Sequence, residues 1–172
     1  MRVGGRSYRS IWLDAACGLP TIVDQTLLPH RFELRSLHDM TDAAEAISTM
    51  RVRGAPLIGA TAAYGMALAV EEDASDASIL QAYERLLRTR PTAVNLAWAL
   101  ERMWNSLKSV PVEERRRAAY AEAATICDQD VASCESIGRN GLEILARRAS
   151  GGGGDRAQRV VRTRQQAVER CQ

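Results

Sequence analysis

Two arginines in this chain stand where guanidinium chemistry and backbone geometry reinforce each other. The first is Arg53, in the stretch MRVRGAPLIGATAAYG over residues 50–65. Pro56 suits the first helical position, where its missing N–H costs nothing and its φ is already set. Gly54 lets the backbone turn tightly and approach another group closely. A helix start turns free N–H groups outward and carries partial positive charge, so it can hold an anion. Arg53, together with Arg51 in the same basic turn, adds a planar, permanently charged fork suited to phosphate or carboxylate. The second is Arg90, in the run Arg90-Pro91-Thr92. Pro91 disfavours a helical Arg90, so one helix ends there, and Thr92 is placed to cap the next. Arg90 therefore also stands at a helix start, and the two guanidinium groups could converge on one phosphate. The competing readings are plainer: a surface arginine ahead of a closely packed helix, and an arginine paired with a nearby acid. Spacing alone favours these.

The elements that must position the arginines follow from periodicity and punctuation. Residues 1–37 read as short strands and turns, with strands over 10–13 and 21–24 around a turn at Gly18 and Pro20. Residues 31–37 alternate apolar and polar side chains (Phe32, Leu34, Leu37) and form a third strand candidate. Asp24, Gln25 and Thr26 either line a site entrance or cap a turn, and short polar side chains more often cap. Thr41 is placed as the N-cap of a helix to about 50, with Ala44, Ile47 and Met50 on one face. The helix after Pro56 runs to about 71 through Gly59, Ala60, Ala62, Ala63, Gly65, Ala67 and Ala69, a composition that suits close backbone approach. A linker over 72–78 follows, with Asp76 or Ser78 as cap, and then a helix to about 88 burying Ile79, Leu80, Tyr83, Leu86 and Leu87. Leu96, Leu100, Met103, Trp104 and Leu107 share one face of the helix after Thr92. From Pro111 a long helix is expected, with Glu113 and Glu114 at its positive start and Ile126, Cys127, Val131, Cys134 and Ile137 along its apolar side. Gly138 and Gly141 are candidate bends, and 115–117 reads as a solvated charge run.

Composition narrows the functional classes. The 172 residues are 46% hydrophobic with a formal net charge of +2, enough for a real core and too little positive charge to argue for a nucleic-acid partner. No apolar run is long enough for a membrane span, and residue 1 opens no signal-peptide pattern. Cys17, Cys127, Cys134 and Cys171 show no C-x-x-C spacing and have no histidine nearby, which argues against a metal site and for free thiols, with Cys127 and Cys134 filling core space. His30 and His38, the only histidines, have no recognisable partner and read as structural or exposed.

The stretch 50–65 closely resembles the RGAP segment of the methylthioribose-1-phosphate isomerases, a family sharing its fold with the regulatory subunits of translation initiation factor 2B. DQTLLPH at 24–30 and TRPTAVNLAWAL at 89–100 match further segments of that family in the expected order. The resemblance covers about 1–148. It implies an α+β fold, mostly α, with small antiparallel strands within 1–37 followed by a helical bundle over 41–148. It also implies that Arg53, Gly54, Ala55 and Arg90 bind substrate; Asn95, in the same segment, is a candidate to orient the turn or cap the helix and is assigned no substrate contact. The reaction implied is aldose–ketose isomerisation of 5-methylthioribose 1-phosphate to 5-methylthioribulose 1-phosphate in methionine salvage. The family performs it in the cytoplasm without metal or redox cofactor, typically as a homodimer.

Beyond 148 the resemblance stops. GGGG at 151–154 cannot hold a helix or core strand, and 155–172 is rich in arginine and glutamine with no convincing buried face. In the isomerases a buried strand follows here, ending near the catalytic cysteine, and then a Rossmann-like second domain with the catalytic aspartate. This sequence has no histidine after His38, and neither Asp155 nor Cys171 fits those motifs. The expectation is therefore an N-terminal domain with no catalytic residue of its own, ending at 149–172 in a flexible, out-of-frame or unrelated tail. Such a chain is expected to be inactive by itself and to self-associate through its uncovered apolar face. Two other expectations stand beside it: a non-catalytic interaction module like the initiation factor 2B subunits, and part of a ribose-1,5-bisphosphate isomerase.

Overall fold

In the computed structural model of the chain, which describes residues 2–151, short antiparallel strands precede five α-helices. The class is α+β and mostly α, as the sequence leads one to expect. Of the tail expected over 149–172, residues 149–151 belong to the last helix and the rest lie outside the described residues. The chain divides into one unit of residues 9–128 and a smaller one made of 2–8 and residues from 129 onward.

In the smaller unit, β1 (Arg2–Val3) and β2 (Arg6–Ser7) form a hairpin that turns through Gly4 and Gly5. The guanidinium of Arg6 stacks on the Tyr8 ring with 5.5 Å to its centroid.

In the larger unit, β3 (Ile11–Leu13), β4 (Pro20–Val23) and β5 (Leu34–Ser36) form an antiparallel sheet in the order β3-β4-β5, with Ile22 opposite Ile11 and Arg35. All of β4 is buried. The third strand is shorter than its alternation suggests, and only part of that alternation is used: Leu37 is buried, whereas Leu34 is exposed. Helices α1 (Met40–Ser48), α2 (Ala55–Glu72), α3 (Asp76–Thr89), α4 (Val94–Leu107) and α5 (Arg115–Gly151) follow.

The small-residue helix is the axis of the unit. Every residue of α2 from Leu57 to Val70 is buried, so α2 has no polar face and must be covered all round. Its glycines mark the contacts. A Cβ placed on Gly65 would sit 2.9 Å from the Ala43 Cβ of α1 and 3.2 Å from the Leu86 methyls of α3. One placed on Gly59 would sit 2.8 Å from the Asn95 carbonyl oxygen of α4. Leu96, Leu100, Met103 and Leu107 are buried on α4 as their spacing predicts.

Several local expectations need correction. The cap of α1 is Asp39, which accepts from the Asp42 N–H at 2.8 Å, not Thr41. Ser75, rather than Asp76 or Ser78, caps α3. Ala93, without a side-chain cap, precedes α4 in place of Thr92. Met50 lies beyond α1, exposed and with a left-handed φ of 62°, and Leu80 is exposed. Glu113 and Glu114 belong to a 3-10 turn (Val112–Glu114) ahead of α5, which then runs without a break through Gly138 and Gly141. Ile126 and Cys127 are buried on α5, but Cys134 and Ile137 are exposed. The run 115–117 is not uniformly solvated: Arg115 is buried, while Arg116 and Arg117 lie outside and pair with Glu71 and Glu114.

Two tyrosines tie α5 into this core and give it a pH signature. Burial, then the neighbouring Cys127 and Asp128, push the Tyr64 phenol up. Burial, then its 2.6 Å hydrogen bond to Glu71, pushes Tyr120 up. In the unfolded chain both ionise near the ordinary phenol value of about 10. Above that pH the unfolded chain gives up protons that the folded chain keeps, so stability present below about pH 10 is lost as pH rises further. Urea midpoints measured from about pH 9 to 11 should fall with pH, and less steeply in Tyr64→Phe. Equal slopes in parent and variant would refute this account.

Candidate anion-binding site

The loop carrying Arg53 is held from beneath by the strand side of the unit. The Gln25 N–H donates to the Arg51 carbonyl at 2.9 Å, and the Gln25 side-chain oxygen accepts the Arg53 N–H at 2.9 Å. Val52 between them is fully buried and donates its N–H to the Ala46 carbonyl at 3.2 Å. Gly54 then takes φ 97°, ψ 133°, a backbone conformation unfavourable for any residue with a Cβ, and α2 begins at Ala55 with Pro56 in its first turn.

Asp24 caps a turn and also lines a cleft. One carboxylate oxygen accepts from the Thr26 N–H at 3.0 Å and the Thr26 hydroxyl at 2.5 Å. The other lies 3.6 Å from the Arg51 Nε and 3.7 Å from the Arg35 Nε. Arg51 also reaches Glu45 at 2.8 Å, so its charge is matched locally.

Arg53 differs from Arg51 in this respect. Its side chain is exposed, its Nε donates to the Met50 carbonyl at 3.3 Å, and no carboxylate pairs with it among the described residues. Arg90, the C-cap of α3, likewise has no acidic partner among the described residues, contrary to the plainer reading of the sequence. The helices that begin just after these arginines are also the ones left open. Asp39 and Ser75 cap α1 and α3 with side-chain oxygens, whereas α2 and α4 start from Gly54 and Ala93 with no side-chain cap. Among the described residues, the N–H groups of Gly54 and Ala55 and of Val94 and Asn95 meet no acceptor. Helix starts in this condition keep their donors and their share of positive potential for an outside anion.

The Gly59–Asn95 contact brings the two starts together. Gly59 lies in the second turn of α2 and Asn95 in the first turn of α4, so the opening turns of both helices pack backbone to backbone. Arg53 and Arg90 therefore flank neighbouring helix starts. On the same first turns of α4, Val94 and Trp98 are four residues apart and both exposed, with the Arg102 guanidinium 5.4 Å from the Trp98 ring centroid.

A cleft of about 450 Å³ lies on another side of the loop, lined by Asp24, Arg35, His38, Asp42, Glu45 and Arg51 among others. Its lining includes neither Arg53, Gly54 and Ala55 nor Arg90. His30 and His38 are exposed, as expected. Sequence reasoning missed the part played by Gln25, because its contact spans 28 positions. Among the described residues no helix is long and apolar enough to cross a membrane.

Fold and geometry together define a class: a mostly helical domain with a small antiparallel sheet and two open, arginine-flanked helix starts. Residues 51–159 match the Initiation factor 2 subunit family, and the chain belongs to that family. It is 54% identical to the methylthioribose-1-phosphate isomerase of Methylorubrum populi over 154 residues, covering 90% of this chain and 42% of that protein. An uncharacterized protein in the petC 3′ region of Rhodospirillum rubrum is 53% identical over 84% of this chain and 79% of its own length. Two crystal structures superpose with a TM-score of 0.70 at 36% identity. One is translation initiation factor eIF-2B subunit delta from A. fulgidus, covering 80% of this chain and 42% of that one. The other is 5-methylthioribose 1-phosphate isomerase from Pyrococcus horikoshii, covering 79% and 40%. The chain thus spans about two fifths of the isomerases it matches.

Proposed function

We propose that this chain is the phosphate-gripping part of a methylthioribose-1-phosphate isomerase, and that it holds the sugar phosphate without converting it. The observation that carries the reading is the pair of uncapped helix starts at α2 and α4, each following an arginine with no acidic partner among the described residues. The phosphate of the substrate occupies the anomeric oxygen, so the ring cannot open freely. An enzyme for this reaction must fix that phosphate and separately move a hydrogen between adjacent carbons. Arg53 and Arg90, with the Gly54 and Ala55 amides, supply charge-assisted hydrogen bonds for the first task. The second task needs a positioned acid and base. The resemblance assigns that chemistry to a cysteine and an aspartate of the domain that follows in the isomerases, and to no residue of this chain. The same reading makes a phosphorylated sugar the partner, the cytoplasm the location, and self-association through Val94 and Trp98 the expected behaviour of the isolated chain.

Titration of the chain with 5-methylthioribose 1-phosphate, followed by calorimetry, tests the proposal. Each charge-assisted contact is worth about 1.5–3 kcal/mol, so Arg53→Ala or Arg90→Ala should weaken binding by roughly tenfold or more. No ketose should appear. Binding that is absent, or equally tight in Arg90→Ala, would remove the reading, and turnover would remove its division of labour.

The equal likeness to the initiation-factor subunit favours one second reading, a non-catalytic interaction module. In that case the sugar phosphate leaves the Gly54 and Ala55 amides undisturbed.

A further inference from the structure

The basic loop has to be stiff if it is to present a guanidinium and two amides together, because every residue ordered on binding subtracts from affinity. Arg51 and Val52 are held by the Glu45 carboxylate and the Ala46 carbonyl, but little else within the loop supplies that stiffness. Gly54 contributes no side chain, Met50 sits at a left-handed φ of 62°, and the Arg53 side chain is bonded only to the Met50 carbonyl among the described residues. What fixes the loop at Arg53 is Gln25. Its main chain donates to the Arg51 carbonyl and its side-chain oxygen accepts the Arg53 N–H, both at 2.9 Å, so a single residue grips the loop on both sides of Val52. Gln25 is itself anchored, because Asp24 before it is buried and bonds both the N–H and the hydroxyl of Thr26 after it.

We propose that Gln25 is a positioning residue for anion binding: through the Arg53 N–H it sets the direction of the Arg53 side chain and the start of α2. The idea rests on the phosphate-gripping reading above. Gln25 does not touch the anion. Its side-chain oxygen removes the Arg53 amide as a competing donor and fixes the backbone from which Gly54 and Ala55 present theirs. The pairing also explains the residue type. An acceptor on a two-carbon stem is required at 25, and a neutral one leaves the positive potential of the helix start undiminished.

The test follows the backbone amide resonances of the full chain while inorganic phosphate is added. In the parent, saturable shifts at Gly54 and Ala55 are expected, together with slow hydrogen exchange at Arg53. Gln25→Met keeps the length and packing but removes the acceptor. It should speed Arg53 exchange and weaken phosphate binding by about three- to tenfold, the worth of one net hydrogen bond. Gln25→Glu keeps an acceptor and should retain the slow exchange, which a side chain serving only as packing would not predict. Phosphate affinity equal in parent and Gln25→Met would overturn the inference and leave the site standing. No response at Gly54 and Ala55 in the parent would remove both. Should Gln25→Met fail to fold, parent exchange at Arg53 as fast as at an open amide is by itself enough to reject the proposal.

Discussion

Gly59→Val should cost the fold about 3 kcal/mol, the upper part of the range for forcing extra atoms into a packed core. The new Cβ alone would lie 2.8 Å from the Asn95 carbonyl oxygen and 3.3 Å from the Ala99 Cβ. The first of these is main chain inside α4, not the flexible end of a side chain, so relief requires moving the helix. Exchanging glycine for a better helix former returns under about 1 kcal/mol. A domain stable by about 5–15 kcal/mol would lose a large share of that margin. Gly59→Ala should be milder but still destabilising. Chemical denaturation of both variants checks this, and a Gly59→Ala chain as stable as the parent would show that α4 slides away cheaply. The same variants should lose phosphate binding beyond their loss of stability, because the contact that is pushed apart holds the two helix starts together.

Arg115→Met is the second change of this size. The Arg115 side chain is buried, and its Nε and Nη1 donate to the Val110 carbonyl at 3.1 Å and the Ala74 carbonyl at 2.7 Å. Nη1 also lies 2.7 Å from the Asp76 carboxylate. Methionine fills much of the same space and carries no donor, so two carbonyls at the foot of α3 and α5 are left short. At roughly 1–3 kcal/mol for each group stranded away from water, a total near 3 kcal/mol is expected. The ion pair itself contributes little, because the Asp76 side chain is 78% exposed and solvent recovers it. Asp76→Ala should therefore cost about 1 kcal/mol or less, most of it from the helix start. An Asp76→Ala variant as unstable as Arg115→Met would reverse that assignment.

Much of this architecture can be read from the sequence, and the failures have a common cause. The burial of α2 follows from a run of small and apolar residues with no polar face. The break at Arg90 follows from Pro91. The starts of both helices after Arg53 and Arg90 are legible for the same reason, since proline and glycine act through the local backbone. Caps are less legible: Asp39 and Thr41, or Ser75 and Ser78, are chemically similar, and which one acts depends on where packing lets the backbone leave the helix. Least legible are contacts made across the chain. Arg115 looks like one of three solvated arginines, yet a carbonyl 41 positions earlier draws it inside. Gln25 looks like turn filler until Arg53 is brought to it. The apolar periodicity of α5 continues through Cys134 and Ile137, which remain exposed because periodicity states only that a face could be buried.

The encirclement of α2 has a further consequence for the order in which the chain matures at the ribosome. Leu57 to Val70 leave the exit tunnel well before α4, whose Asn95 and Ala99 close one flank. During synthesis that segment has no cover of its own, and an uncovered apolar helix invites capture by other chains or by holding factors. Commitment to the native state thus waits on the first half of α5 leaving the tunnel, because Ala119, Ala123, Ile126 and Cys127 complete the same core.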